Sequence, residues 1–213
     1  RLIGDDQQLA AVGAGGVLRD IQQLFGASTL SEVRRFHHPS EAAATLAVRE
    51  GDAAALGFYA DNSRIHVGDL SAAADQAYDA WASDRASGLD AVLLAPTREL
   101  VSQLNARARA DRLTSEPIDG QEVDLADGNR ASAGDIIVTR RNNRRLVISR
   151  SNWVKNGDRW RVERVSPDGS LVTRHLELGR TVDLPADYVA EHVQLGYATT
   201  VHGAQGMTAD TAH

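Results

Sequence analysis

A change of rhythm part-way along the chain constrains its fold more than any other feature. Residues 17 to 110 alternate helical and strand-like stretches, whereas from about Ile118 to Val193 the chain becomes a series of short alternating strands. The first regime is clearest in "LDAVLLAP" followed by "TRELVSQLNARARA", residues 89–110. The apolar run is continuous, as in a strand buried on both faces of a parallel sheet, and Thr97 stands where a hydroxyl can cap the helix behind it. Two helices are expected before it. "PSEAAATLAVREG" has Ser40 as N-cap, Glu41 in the first turn and Gly51 as stop, and "SAAADQAYDAWASDRASG" runs from Ser71 to Gly88. Strand, tight turn and helix, repeated, produce a parallel sheet with helices on its faces. In the second regime, "DIIVT", "RLVISR", "RWRVERV" and "SLVTRHLEL" are separated by the turns "RNN", "NGD" and "SPDG", which predicts a small β-barrel. The closing "LGYATTVHGAQGMTAD" is expected to return to strand, turn and helix, making the barrel an insertion in an α/β domain.

Composition narrows the chemistry. At 213 residues and 42% hydrophobic, the chain can bury one good core or two small ones. No apolar run reaches the ~20 residues of a membrane span and no charged-then-apolar leader opens the chain, so a soluble, cytoplasmic protein without a membrane segment is expected. The absence of cysteine excludes disulfides, thiolate zinc sites and zinc fingers. His37, His38 and Glu41 are too few ligands for a zinc site, so no metal site is predicted within the chain. No Gly-x-Ser-x-Gly turn presents a nucleophilic serine. Lys155, the sole lysine, lies in "NWVKNGD" without the glycines or hydroxyl of a phosphate-cradling P-loop. Gly13, Gly15 and Gly16 are followed by Leu18 where a dinucleotide loop needs its third glycine, and read as a flexible connection.

The net charge of -6 does not mark a nucleic-acid binder, but it conceals a local field. Thr139 to Arg164 holds nine basic residues against Asp158 and Glu163, with Trp153 and Trp160 among them. Aromatic faces beside arginines such as Arg144 and Arg145 suit a groove for single-stranded nucleic acid. A solvated arginine-rich barrel with core tryptophans accounts for the same residues.

Four blocks, in order, resemble conserved segments of RecD-like superfamily 1 helicases, most closely the helicase portion of TraI/TrwC-type conjugative relaxases. They are "GDDQQL" (Gly4 to Leu9), "LSEVRRF" (Leu30 to Phe36), "VLLAPTRELVSQLN" (Val92 to Asn105) and "YATTVHGAQG" (Tyr197 to Gly206). The resemblance implies an α/β fold: a RecA-like parallel-sheet motor domain with an inserted small SH3-like β-barrel. Residues 1–25 would be the tail of a first RecA-like domain, 26–117 the first part of the second, 118–193 the barrel and 194–213 the return segment.

It also implies roles. Gln8, with Gly4 and Asp5, would face the terminal phosphate of a nucleotide as a sensor, an amide being able to donate to phosphate and accept from water. Arg35 would reach the γ-phosphate, where a planar, permanently charged fork holds two oxygens. Phe36 stands where the family usually has glutamine, which leaves Arg34 as the alternative. Gln205 and Gly206 would face the nucleotide, while Thr200 and His202, beside Thr199, would face DNA; Met207 and Thr208 replace the acidic residue that many relatives place near the ribose. Pro96 and Thr97 would hold the DNA backbone, although N-capping alone accounts for Thr97.

On this resemblance the cofactors are ATP and Mg2+ in a full-length protein, with none bound tightly by this chain alone. The partners are single-stranded DNA and the first RecA-like and relaxase domains of the same protein, which would supply the P-loop and magnesium carboxylates. The implied function is that of a second motor domain in an ATP-dependent 5′–3′ DNA helicase. The alternatives are a RecD-like repair helicase and a non-catalytic DNA-binding or docking module.

Overall fold

A computed structural model describes residues 4, 17–28, 36, 38–118, 120–205 and 207–213, apart from the side chain of Leu18. The chain divides into two compact units, Arg1–Ala73 and Ala74–His213.

The described part of the first unit is helical: α1 (Val17–Phe25), α2 (Pro39–Arg49), and a 3-10 turn at Ala53–Ala55 that runs into α3 (Leu56–Asp61). Ser40 does not cap α2. The cap position is His38, extended at φ -106° and ψ 123°, and Pro39 is the first helical residue. Proline is at home there because its fixed φ suits the first turn and its missing N–H would have had no intrahelical partner. Gly51 ends the helix at φ +81°, a left-handed conformation that glycine adopts without a Cβ penalty. The helices are tied by a 2.8 Å hydrogen bond between the Thr45 and Tyr59 hydroxyls and by the Arg64–Glu41 ion pair.

Helix α4 (Leu70–Ala86) leads into the second unit, where it contributes the buried Tyr78 and Trp81. Strand β1 (Ala91–Ala95) and helix α5 (Arg98–Ser115) follow. The β-rich segment comprises β2 (Val123–Asp124), β3 (Arg130–Ala131), β4 (Ile136–Thr139), β5 (Asn143–Ser149), β6 (Asn152–Val154), β7 (Arg159–Val165), β8 (Leu171–His175) and β9 (Thr181–Leu184). Helix α6 (Ala186–His192) then precedes β10 (Val193–Leu195), and β11 (Ala198–Thr200) and β12 (Thr211–Ala212) close the chain.

Among the described residues, β1 is the centre of a three-stranded parallel sheet in the order β11-β1-β12. Its continuous apolar run is buried as expected, with Leu93 fully enclosed. One stripe of α5 packs inward through Val101, Leu104, Asn105 and Ala108, the i, i+3, i+4, i+7 spacing of a helix face. Trp81 lies across the start of β1, its indole N–H donating to the Ala91 carbonyl at 3.1 Å.

The β-rich segment is a five-stranded antiparallel sheet, β10-β4-β7-β8-β9, flanked by the hairpins β2–β3 and β5–β6. Along β7 the side chains alternate, with Trp160 and Val162 buried and Arg161 and Glu163 exposed. Trp160 is therefore core. It is 0% exposed, its N–H donates to the Thr139 hydroxyl at 3.3 Å, and the His175 ring stands edge-on at 4.7 Å. A base cannot stack on it, so Trp160 is not the DNA-binding residue expected from its place among arginines.

Two elements depart from the expected pattern. Helix α6 interrupts what reads as continuous β structure. The helix expected after the "VHGAQG" turn is replaced by β12, whose neighbourhood pairs with β1: Leu94 N–H donates to the His213 carbonyl at 2.8 Å and His213 N–H to the Val92 carbonyl at 3.0 Å. The edge of β1 satisfies the backbone of this segment directly, pairing Ala91 with Thr211 and Val92 with Ala212.

Candidate nucleic-acid interface

The parallel pairing of β1 with β11 aligns Leu94 with Thr199 and Ala95 with Thr200, so both strands end on the same edge. Pro96 and Thr97 emerge beside Thr200 and the turn that carries His202 and Gln205. Six of the predicted residues, from two blocks a hundred positions apart, are thus brought to the carboxyl edge of a parallel sheet, where α/β folds place their ligands. Pro96, Thr97, His202 and Gln205 are exposed, and Thr199 and Thr200 are half-buried.

Local hydrogen bonds shape this edge. The Thr97 hydroxyl oxygen accepts the Leu100 N–H at 3.2 Å, so it does cap α5, with its own proton still available. The Thr200 hydroxyl accepts the Gly203 N–H at 3.0 Å and closes the turn. A Cβ at Gly203 would lie 2.6 Å from the Thr199 hydroxyl, so a larger residue there would have to displace it.

Two buried polar groups hold the edge in place, and neither figures among the residues the sequence suggested for a site. Asn105, 1% exposed, grips the first residue of β11 by both halves of its amide, donating to the Ala198 carbonyl at 3.3 Å and accepting the Ala198 N–H at 2.8 Å. Asp135, fully buried at the start of β4, receives Arg112 Nε at 2.8 Å, Arg109 Nε at 3.0 Å, the Ser132 N–H at 2.8 Å and the Tyr197 hydroxyl at 2.7 Å. Burial alone would push its carboxyl up, but the hydrogen bonds from Tyr197, Ser132 and the two arginines outweigh burial and hold it below the usual carboxylate range. Burial and the facing carboxylate push the Tyr197 phenol up in turn. The network joins α5, the antiparallel sheet and the approach to β11. Its only signal in the sequence was Arg109 and Arg112 three apart on one helix face.

The basic stretch remains largely unneutralised. Of its nine cations, Arg159 alone makes an ion pair with a carboxylate among the described residues, at 3.2 Å from Asp90. Glu163 is held by Arg174 at 2.6 Å, and Asp158 accepts the Lys155 backbone N–H at 2.7 Å. Trp153, on β6, is half-buried, with the Arg144 guanidinium 5.0 Å and the Lys155 ammonium 5.6 Å from its ring centre. Arg144 and Arg145 are exposed on β5.

Asp5, Gln8, Arg34, Arg35, His37 and Gly206 lie outside the described residues, as do Gly13, Gly15 and Gly16; Gly4 is exposed. Glu41 is committed to Arg64, and no cluster able to hold a metal occurs among the described residues. No helix among them is long and apolar enough to cross a membrane.

Comparison with known proteins gives these features a context. The model of an AAA domain family matches residues 1–70, and that of the Rv2311 SH3-like barrel domain matches residues 123–194. The class is thereby defined as a helicase-type AAA segment followed by a mixed helix and sheet unit that carries an SH3-like barrel. The chain is 31% identical over 98% of its length to a probable conjugal transfer protein TraA of Sinorhizobium fredii, and 32% identical over 98% to a conjugal transfer protein TraA of Agrobacterium fabrum. It is also 39% identical, over 44% of its length, to the uncharacterized protein Rv2311 of Mycobacterium tuberculosis. The chain is a relative of TraA-type conjugal transfer proteins and resembles the helicase portion of TraI/TrwC-type relaxases along nearly its whole length. It spans 19% of the length of those two TraA proteins and 52% of Rv2311.

Proposed function

We propose that the chain serves as the second motor domain of an ATP-dependent 5′–3′ DNA helicase acting in the cytoplasm in plasmid transfer, and that its surface holds single-stranded DNA. The observation that carries this reading is the meeting of Pro96 and Thr97 with Thr199, Thr200 and His202 on one edge of the parallel sheet. Hydroxyls, backbone N–H groups and an imidazole suit phosphate contacts without base selectivity. The barrel adds the half-buried Trp153, with Arg144 and Lys155 near its ring, as an aromatic surface for a base. Arg144 and Arg145 add the field that attracts a polyanion.

ATP with Mg2+ would supply the driving hydrolysis. In this reading Gly4, Asp5, Gln8, Arg35, Gln205 and Gly206 are the chain's share of the nucleotide shell, and the P-loop and magnesium carboxylates come from the remainder of the first RecA-like domain, of which residues 1–25 are the tail. The relaxase domain belongs to the same full-length protein.

Titration of labelled single-stranded oligonucleotides with the 213-residue chain tests the reading. Binding should be insensitive to sequence and fall steeply with salt, and Trp153→Ala should weaken it by about 1 to 3 kcal/mol. ATP turnover should be absent in the chain alone. No binding at low salt would overturn the reading. Selective binding of a protein partner instead would favour a docking module.

A further inference from the structure

We propose that Arg140, together with Arg98 and the Thr199 hydroxyl, forms a phosphate-binding site that takes a backbone phosphodiester of single-stranded DNA. Arg140 follows β4 directly. Its backbone N–H donates to the His192 carbonyl at 2.8 Å, and its Nε donates to the Gln194 amide oxygen at 2.7 Å, which orients the guanidinium. The side chain lines a cavity with Thr199, Gly203, Tyr197, Met207 and Arg159, so it adjoins the turn that follows β11.

The two arginines of this cavity differ in one respect. Arg159 is neutralised by Asp90. Arg140 has no carboxylate within ion-pair distance among the described residues, and its terminal amino groups meet no acceptor there. Asp127, the acidic group whose charge reaches it, already accepts the backbone N–H groups of Asn129 and Leu195, each at 3.2 Å. Burial, and then the like charge of the exposed Arg98, push the Arg140 pKa down. The Arg140 charge is thus offset only by Asp127, which is not within ion-pair distance and is already engaged, and a phosphate group at the fork would supply the direct counter-charge. A planar fork with both terminal amino groups unused matches two phosphate oxygens, and the Thr199 hydroxyl supplies a further donor.

This inference rests on the proposed binding of single strands, and the test separates the two. Anisotropy titrations of a labelled oligothymidylate across a salt series compare the native chain with Arg140→Gln, Arg140→Lys, Arg98→Gln and Arg180→Gln, the last an exposed arginine outside this cavity. Arg140→Gln should weaken binding about tenfold and reduce the logarithmic salt slope by about 0.7, the contribution of one phosphate on a single strand. Arg140→Lys should restore the slope, Arg98→Gln should lower it, and Arg180→Gln should leave it unchanged. If the native chain binds and the slope of Arg140→Gln equals the native one, this site is refuted while the wider reading stands. If glutamine and lysine both weaken binding at an unchanged slope, Arg140 only packs against Gln194 and the proposal fails. Should Arg140→Gln not fold, as judged by its thermal melt, Arg98→Gln decides alone, and an unchanged slope refutes the site. Competition by ATP or inorganic pyrophosphate that depends on Arg140, with oligonucleotide affinity unaffected, would assign the pocket to a nucleotide and overturn the proposal. Absence of any binding by the native chain would overturn both.

Discussion

Substitution of Asp135 by asparagine should be among the most damaging single-atom changes available in the second unit. The carboxylate is completely enclosed, and its partners Arg109 and Arg112 are only 14% and 13% exposed. One oxygen accepts Arg112 and Tyr197, and the other accepts Arg109, the Ser132 N–H and the Ser132 hydroxyl. Whichever oxygen becomes an amide nitrogen, at least two donors then face a donor, and Arg109 and Arg112 lose their one fully enclosed counter-charge, keeping only the more exposed Glu122 and Glu116. Removing one partner of a buried ion pair costs about 3–5 kcal/mol. For a unit of this size the loss corresponds to a fall in Tm of about 6–20 °C. Urea unfolding followed by tryptophan fluorescence measures it, since Trp81 and Trp160 report from the parallel and antiparallel parts of the unit. The native protein should also show an acid dependence that the variant lacks. Because the folded carboxyl is held below its unfolded value of about 3.9, its stabilisation is fully present above that value and is lost as the pH falls through the lower, folded one. A variant that loses less than about 1 kcal/mol, or that keeps the native acid profile, would refute the account of Asp135 as the latch between α5, the barrel and β11.

Three further outcomes are expected. Trp160→Ala should destabilise the barrel by about 3–5 kcal/mol in the same urea assay, as large buried residues do, whereas Trp153→Ala should leave the unfolding midpoint nearly unchanged. Gly203→Ala should displace the turn from Thr199 and lower single-strand affinity, with circular dichroism unchanged; native affinity would show that the turn plays no part. In the full-length protein, Arg35→Ala should leave nucleotide binding near native and reduce ATP turnover by roughly 10³-fold or more, with Arg34→Ala much milder, as steady-state kinetics would show. The reverse order would move the assignment to Arg34.

The features legible in the sequence are those set by short-range physics. β1 followed by a Thr97-capped helix can be read from an apolar run and one hydroxyl, because a strand buried on both faces and an N-cap need only their immediate neighbours. The hairpins of the barrel announce themselves by their glycine and asparagine turns for the same reason. Trp160 was expected to contact DNA and is core, although in "RWRVERV" it shares the parity of Val162, opposite the arginines. Two boundaries differ from the local pattern, at Ser40, where Pro39 already begins the helix, and after Gln205, where pairing with β1 makes Thr211–Ala212 a strand. Tertiary structure alone decided the rest. Composition could not distinguish the nine cations of residues 139–164, and only the folded chain shows that Asp90 neutralises Arg159 while Arg140 faces the β11 turn with its fork unpaired. Asp135 and Asn105 look like ordinary surface residues in a string of letters. They become the latch and the grip of the site because chain segments up to 93 positions apart converge on them, and the cost of enclosing a polar group is met only by partners that no local pattern can specify.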